Sequence, residues 1–178
     1  KDQLQVFVPH LIKALQMFNQ PTILVPSVGI IPFLLKNVDL DTFFDPLIEA
    51  LFDTLKRGES SNTKAATLES FFKILCIKPL LFAPFVQELH DSIDFIICNL
   101  DTVYQSYLED TQIVVHEICK IQLKLLSILS EADVKFIFKL CIKLIVAVSK
   151  NQSILKLNSK DIYQLICGLF TAMKEETK

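Results

Sequence analysis

The sequence contains few of the residues on which nucleotide chemistry depends. It has only three glycines in 178 residues, whereas the phosphate-holding loops of nucleotide-binding enzymes need several glycines at fixed spacing. The P-loop and the dinucleotide fingerprint are therefore both excluded. The chain also has a single arginine, Arg57, and a formal net charge of -2. Because arginine is the preferred side chain for paired contacts with phosphate and guanine, DNA or RNA binding is disfavoured.

Long uninterrupted apolar runs are also missing. The most apolar segment, 134–148, contains three lysines, and a membrane-spanning helix needs roughly 20 mostly apolar residues. We therefore predict no membrane helix. The chain starts at Lys1 without the charged and apolar leader of a secreted protein, so we expect an intracellular protein, cytoplasmic or nuclear, that is a fragment of a longer chain.

The cysteines fit a reducing compartment. There are five, an odd number, and each lies within an apolar stretch. We expect them to be small core residues and not disulfides or metal ligands. They are Cys76, Cys98, Cys119, Cys141 and Cys167.

Apolar residues recur at intervals of three and four along nearly the whole chain, and no alternating β pattern occurs. The sequence therefore predicts an all-α protein of about eight helices. The predicted helices cover 2–19, 25–37, 41–57, 63–78, 83–106, 111–129, 131–149 and 159–175.

Polar residues mark several predicted helix ends. Ser130 with Asp133, and Asn158 with Asp161, have the spacing of a capping box, in which a side chain accepts hydrogen bonds from the first free N–H groups of a helix. The polar run 57–63 predicts a loop, in which Gly58 would permit a left-handed turn.

A three-residue motif, Phe-x-Pro, recurs in the first half of the chain. It occurs at 7–9, 44–46 and 82–84, so that successive copies are 37 and 38 residues apart. An apolar ladder follows each copy, and the first copy carries one extra residue, His10. No proline occurs after Pro84. The ladders cover 11–15, 47–51 and 85–89.

A helix pair of this length, with an early proline and a Leu-Ile-x-Ala-Leu ladder, resembles armadillo and HEAT repeats. The resemblance implies stacked antiparallel helix hairpins in a right-handed superhelix, extending over a single domain, 1–178. The pattern is clearer in 1–110, whereas 111–178 would be a divergent capping or packing unit, with a compact helical bundle as the alternative for the C-terminal half.

No catalytic or metal-binding constellation is visible. His116 opens a zinc-protease-like sequence, but the second ligand four residues later would be Lys120, and a cation cannot bind a metal. His116 and Cys119 could supply two ligands, but no second pair stands at useful spacing. His10 and His90 fit surface or core-edge positions. We therefore expect no enzyme activity and no cofactor.

Charge is distributed unevenly along the chain. The segments 1–38, 39–110, 111–160 and 161–178 carry net charges of +2, -8, +5 and -1. Lysines recur at intervals of four on two predicted neighbouring helices, so each set forms a stripe. The stripes would be either ordinary solvated helix faces or one binding patch for an acidic peptide or neighbouring domain. Their members are Lys120 and Lys124, then Lys135, Lys139 and Lys143.

We therefore expect a non-catalytic scaffold whose helix surface binds a peptide or helix of another protein. The alternative is a structural domain in which the apolar helix near 134–148 packs against another copy or another part of the protein. We expect no small-molecule substrate and no membrane partner, and nucleic acid is the less favoured macromolecular partner.

Overall fold

The computed structural model describes residues 2–100, 108–128 and 131–175, and the side chains of 6–100, 109–128 and 135–173. All regular structure within these ranges is helical, and no β-strand occurs there. The all-α prediction is confirmed, as is a number of helices close to eight. The chain forms two compact units, Lys1–Phe85 and Val86–Lys178. The division into a clearer and a divergent repeat region near residue 110 stays a prediction.

The first unit contains four long helices and a short one. Their bounds are α1 Asp2–Leu15, α2 Pro21–Asn37, α3 Phe44–Arg57, α4 Ser61–Ile77 and α5 Pro79–Phe82, with single 3-10 turns at Asp41–Phe43 and Ala83–Phe85. The second unit contains α6 Val86–Cys98, α7 Leu108–Leu126, α8 Glu131–Ser149, α9 Gln152–Leu157 and α10 Ser159–Glu175.

The long helices of the first unit pack in two rows. α1 packs on α2 and α3 packs on α4, and because each pair is joined by a short connection, each forms a helical hairpin. In addition, α1 packs on α3 and α2 packs on α4. The two hairpins are therefore stacked, with corresponding helices side by side.

A proline inside α2 explains one link between the rows. In a regular helix the Val28 carbonyl accepts a hydrogen bond from the N–H four residues later, but that residue is Pro32, which has none. The buried Ser70 hydroxyl on α4 donates to the Val28 oxygen instead, at 3.0 Å. α4 therefore supplies the donor that the sequence of α2 lacks.

The Phe-x-Pro motif does not place its first copy in the same environment as the others. Phe44 and Phe82 are buried at 1% and 0% exposure, whereas Phe7 is 43% exposed. The extra residue His10 explains the difference, because one added residue rotates a helical position by about 100°. Val8 therefore takes the buried place that an aromatic ring has in the later copies.

Phenylalanine rings form the centre of the first unit. The ring centroids of Phe52 and Phe71 lie 4.7 Å apart, and those of Phe71 and Phe82 lie 5.7 Å apart. Phe85 continues the cluster towards Phe44, with centroids 6.2 Å apart. These separations are typical of favourable tilted and edge-to-face packing.

The predicted loop at 57–63 is shorter than expected and lacks the left-handed turn. Gly58 has a φ of -63°, and α4 begins at Ser61, capped by the Ser60 hydroxyl, which accepts from the Thr63 N–H at 3.1 Å. Glycine is needed here for close approach, because a Cβ at position 58 would lie 2.7 Å from the Thr54 carbonyl oxygen. The Lys64 ammonium donates to the Gly58 carbonyl, and burial lowers the pKa of this lysine.

In the second unit, α8 packs on α6, α7 and α9, and α10 packs on α7. The short helix α9 was missed in the sequence; its N-cap is Asn151, whose side chain accepts from the Ser153 and Ile154 N–H groups. The predicted cap at Asn158 is wrong. Its side-chain amide instead donates to the Gln112 carbonyl on α7 at 3.0 Å. The Ser130–Asp133 cap lies outside the described side chains.

Candidate functional site

The helix that carries the second lysine stripe has one buried and one exposed side. Most of its apolar residues are buried inside the second unit. The buried residues are Ile137, Leu140, Cys141, Leu144, Ala147 and Val148. The residues exposed along the opposite side of α8 include Lys135, Lys139, Ile142 and Val146.

Lys143 belongs to the packing between α6 and α8. Its ammonium lies 2.6 and 2.8 Å from the two carboxylate oxygens of Asp94 on α6. The hydrogen bond to Asp94 raises the pKa of Lys143, so the lysine remains charged at neutral pH. Because the carboxylate already balances its charge, Lys143 contributes little to a site for an acidic partner.

Lys120 is also paired, within its own helix. Its ammonium lies 2.9 Å from both carboxylate oxygens of Glu117, three residues earlier on α7. Glu117 is buried, so the pair compensates a carboxylate that would otherwise be costly to desolvate. Lys124, one turn later, is half-buried.

Two of the five predicted lysines therefore stand apart from the others. Lys135 and Lys139 are exposed and lie four residues apart on α8. Among the described side chains, neither takes part in an ion pair. The structure thus divides the predicted patch into Lys120 and Lys143, which have internal carboxylate partners, Lys124 at the edge of the core, and an exposed pair.

His116 meets a carboxylate that sequence reasoning did not link to it. Its Nδ1 lies 2.9 Å from the Asp161 carboxylate, which joins α7 to α10. Cys119 is buried, and burial, with a smaller contribution from Asp161, raises the pKa of its thiol. Within the described ranges, no three His, Cys, Asp or Glu side chains lie close enough together to hold a metal ion.

The cysteines and the other histidines show a mixed result. Cys119 and Cys141 are buried free thiols, and the Cys141 thiol donates to Gln122 at 3.2 Å. The prediction that all five are core residues is wrong for three exposed thiols, because an apolar stretch of an amphipathic helix also includes positions at its edge. These are Cys76, Cys98 and Cys167. His10 is exposed, and His90 is buried with its ring stacked on Phe136 at 5.0 Å.

Each unit has a surface cleft that is lined by described residues. The first has a volume of about 400 Å³ between α7 and α10 and is lined by small and apolar residues, among them Gly168 and Ala172. None of its lining residues titrates near neutral pH. The second, about 570 Å³, lies at the ends of α2 and α4, where Lys78 pairs with Asp41 at 2.8 Å. The Asp41 side chain in this pair is half exposed, so the ion pair is a solvated surface contact.

An exposed apolar stripe on α2 was missed by sequence reasoning. The segment 22–35 contains no charged residue, and its solvent side carries Ile23, Pro26, Ile30 and Phe33 at helical spacing. Phe33 is 64% exposed. The signal in the sequence was the presence of apolar residues on both sides of one helix, a pattern typical of helices that are covered on both sides. We call these four residues the α2 stripe.

No helix in the described part of the chain has both the length and the apolarity to cross a lipid bilayer. Comparisons of the chain with protein-family models, with curated proteins and with solved structures give no significant match.

Proposed function

We propose that the chain is a non-catalytic scaffold that binds other proteins through exposed helix faces. The observation that carries the proposal is the α2 stripe, in which Ile23, Ile30 and Phe33 lie at the surface within a segment, 22–35, that contains no charged residue. Exposed apolar patches of this kind mark protein interaction sites. The expected occupant is the apolar face of a helix from another protein, because the apolar side chains of the stripe gain most when an apolar surface covers them.

The stacking of hairpins in the first unit supports the same proposal. Corresponding helices lie side by side, and the Phe-x-Pro ladders recur at 37 and 38 residues. We therefore propose an armadillo- or HEAT-like repeat, an architecture that presents helix rows as extended binding surfaces. The non-catalytic part of the proposal rests on the sequence, which lacks glycine-rich phosphate loops and a nucleophile with an adjacent base.

Site-specific photocrosslinking in cells tests the proposal. A benzoylphenylalanine at position 33 should give covalent adducts with another protein, whereas the same residue at exposed Glu49 on α3 should give far fewer. Both positions are exposed and lie on long helices, but they differ in the apolar surface around them. Equal adduct yields at both positions, or none at position 33, would contradict an interaction surface on α2.

Self-assembly is the second candidate, because one apolar stripe can also pair with its copy across a twofold axis. Adducts at position 33 that contain only a second copy of the chain would favour this alternative. Light scattering over a dilution series then provides an independent measurement. A Phe33→Glu variant should stay monomeric at concentrations where the unmodified protein dimerises.

A further inference from the structure

The exposed side of α8 changes from basic to aliphatic along the length of the helix. Lys135, Lys139, Ile142 and Val146 are spaced by four, three and four residues, which places them in one line along the helix. Ile142 and Val146 are 44% and 52% exposed. At 1.5 Å per residue the line is roughly 16 Å long, or about three turns. It is basic at its first half and aliphatic at its second.

The two lysines of this line have no carboxylate partner among the side chains that the structure describes. Lys143, at the edge of the same helix, is balanced by Asp94. In contrast, Lys135 and Lys139 take part in no ion pair among the described side chains. A partner with acidic groups would therefore add charge pairs to two lysines that no described carboxylate balances. Aliphatic side chains beside the lysines would gain from burial by an apolar surface.

We propose that this side of α8 binds an amphipathic helix of another protein that carries acidic residues at one end of its contact face and aliphatic residues at the other. The inference rests on the proposed scaffold function and names the partner of a second surface. A helix of about three turns matches the line in length, and acids four residues apart match the two lysines. Nucleic acid fits less well, because it would leave Ile142 and Val146 against a charged backbone.

The test uses the full chain and a displayed library of helical peptides with randomised surface positions. Enriched peptides should combine acidic and aliphatic residues at helical spacing. Lys135→Glu with Lys139→Glu should weaken their binding by roughly tenfold or more, and high salt should weaken their binding to the parent protein. Lys156→Glu with Lys160→Glu is the matched control, because these exposed lysines are also four residues apart in the same unit and should leave binding unchanged.

Two further arms separate recognition from folding. Peptides in which the acids are replaced by lysine should bind the Lys135→Glu/Lys139→Glu variant, a charge exchange that an unfolded protein could not show. Ile142→Ser with Val146→Ser should weaken binding without changing its salt dependence.

Acidic peptides that bind this charge-reversed variant as tightly as the parent protein would overturn the assignment to α8, as would a library that yields no acidic helical peptide. Neither result bears on the scaffold proposal itself, which is tested separately by the crosslinks at position 33. Enrichment of single-stranded oligonucleotides in a parallel selection that Lys135→Glu/Lys139→Glu abolishes would also overturn it.

Discussion

Removal of the Ser70 hydroxyl tests how the two rows of the first unit are joined. The Val28 carbonyl is buried, the residue four positions on is Pro32, and the Ser70 hydroxyl donates to this oxygen at 3.0 Å. Ser70→Ala leaves this oxygen without that donor. We expect the free energy of unfolding to fall by about 1–3 kcal/mol, the cost of a buried unsatisfied group. Urea unfolding followed by far-ultraviolet circular dichroism measures the change.

A double-mutant cycle separates this explanation from a simple loss of packing. Pro32→Ala restores an N–H that can donate to Val28 along α2, so Ser70→Ala should cost about 1 kcal/mol less in that background. Ser27→Ala is the control, because its hydroxyl bonds to the Ile23 carbonyl of its own helix and its loss should change stability by less than about 0.5 kcal/mol. If Ser70→Ala costs the same with and without Pro32, the hydroxyl does not replace the missing donor.

Three further predictions concern other contacts. Gly58→Ala should lower the free energy of unfolding by about 1–3 kcal/mol, since its Cβ would lie 2.7 Å from a backbone oxygen; unchanged urea unfolding would argue against the close approach. A maleimide should label the three exposed thiols quickly in the native protein, and Cys119 and Cys141 only after unfolding. Burial raises the pKa of both buried thiols, that of Cys141 to about 12. Mass spectrometry that shows five quickly labelled thiols in the native protein would refute this prediction. Lys143→Glu should lower the melting temperature more than a lysine-to-glutamate change at an exposed lysine of α8. Adding Asp94→Lys to Lys143→Glu should restore the melting temperature, because the ion pair is re-formed with its charges exchanged. No recovery in this double variant would show that the ion pair between Lys143 and Asp94 adds nothing to the packing of α6 and α8.

The helices were largely predictable because each carries its own apolar periodicity. α8 was predicted at 131–149 and spans Glu131–Ser149, since nineteen residues of regular spacing give a strong local signal. α9 was missed because its six residues are too few to show a repeat. The Asn158 side chain was assigned to a helix cap, but it bonds instead to the Gln112 carbonyl, 46 residues earlier, which local spacing cannot reveal.

The candidate site was less predictable because the relevant partners are distant in sequence. The stripe Lys135, Lys139 and Lys143 looks uniform when one helix is read alone. What distinguishes Lys143 is Asp94, 49 residues away on α6. Periodicity places a lysine on a helix face, but the packing of a second helix decides whether that face keeps an uncompensated charge. The α2 stripe was missed for a related reason, since apolar residues on both sides of a helix look like ordinary core.

The same reasoning explains why the two exposed surfaces, and not the clefts, are the places to look for a partner. In the first unit a missing donor at Pro32 is supplied by Ser70, and in the second the charge of Lys143 is balanced by Asp94. Where a hydrogen-bonding or charged group already has a partner inside its own unit, contact with another protein contributes little further free energy. The α2 stripe and the line of Lys135, Lys139, Ile142 and Val146 on α8 present apolar area and charge that the described residues leave exposed. A partner that covers them would gain free energy from the burial of apolar area and from new ion pairs.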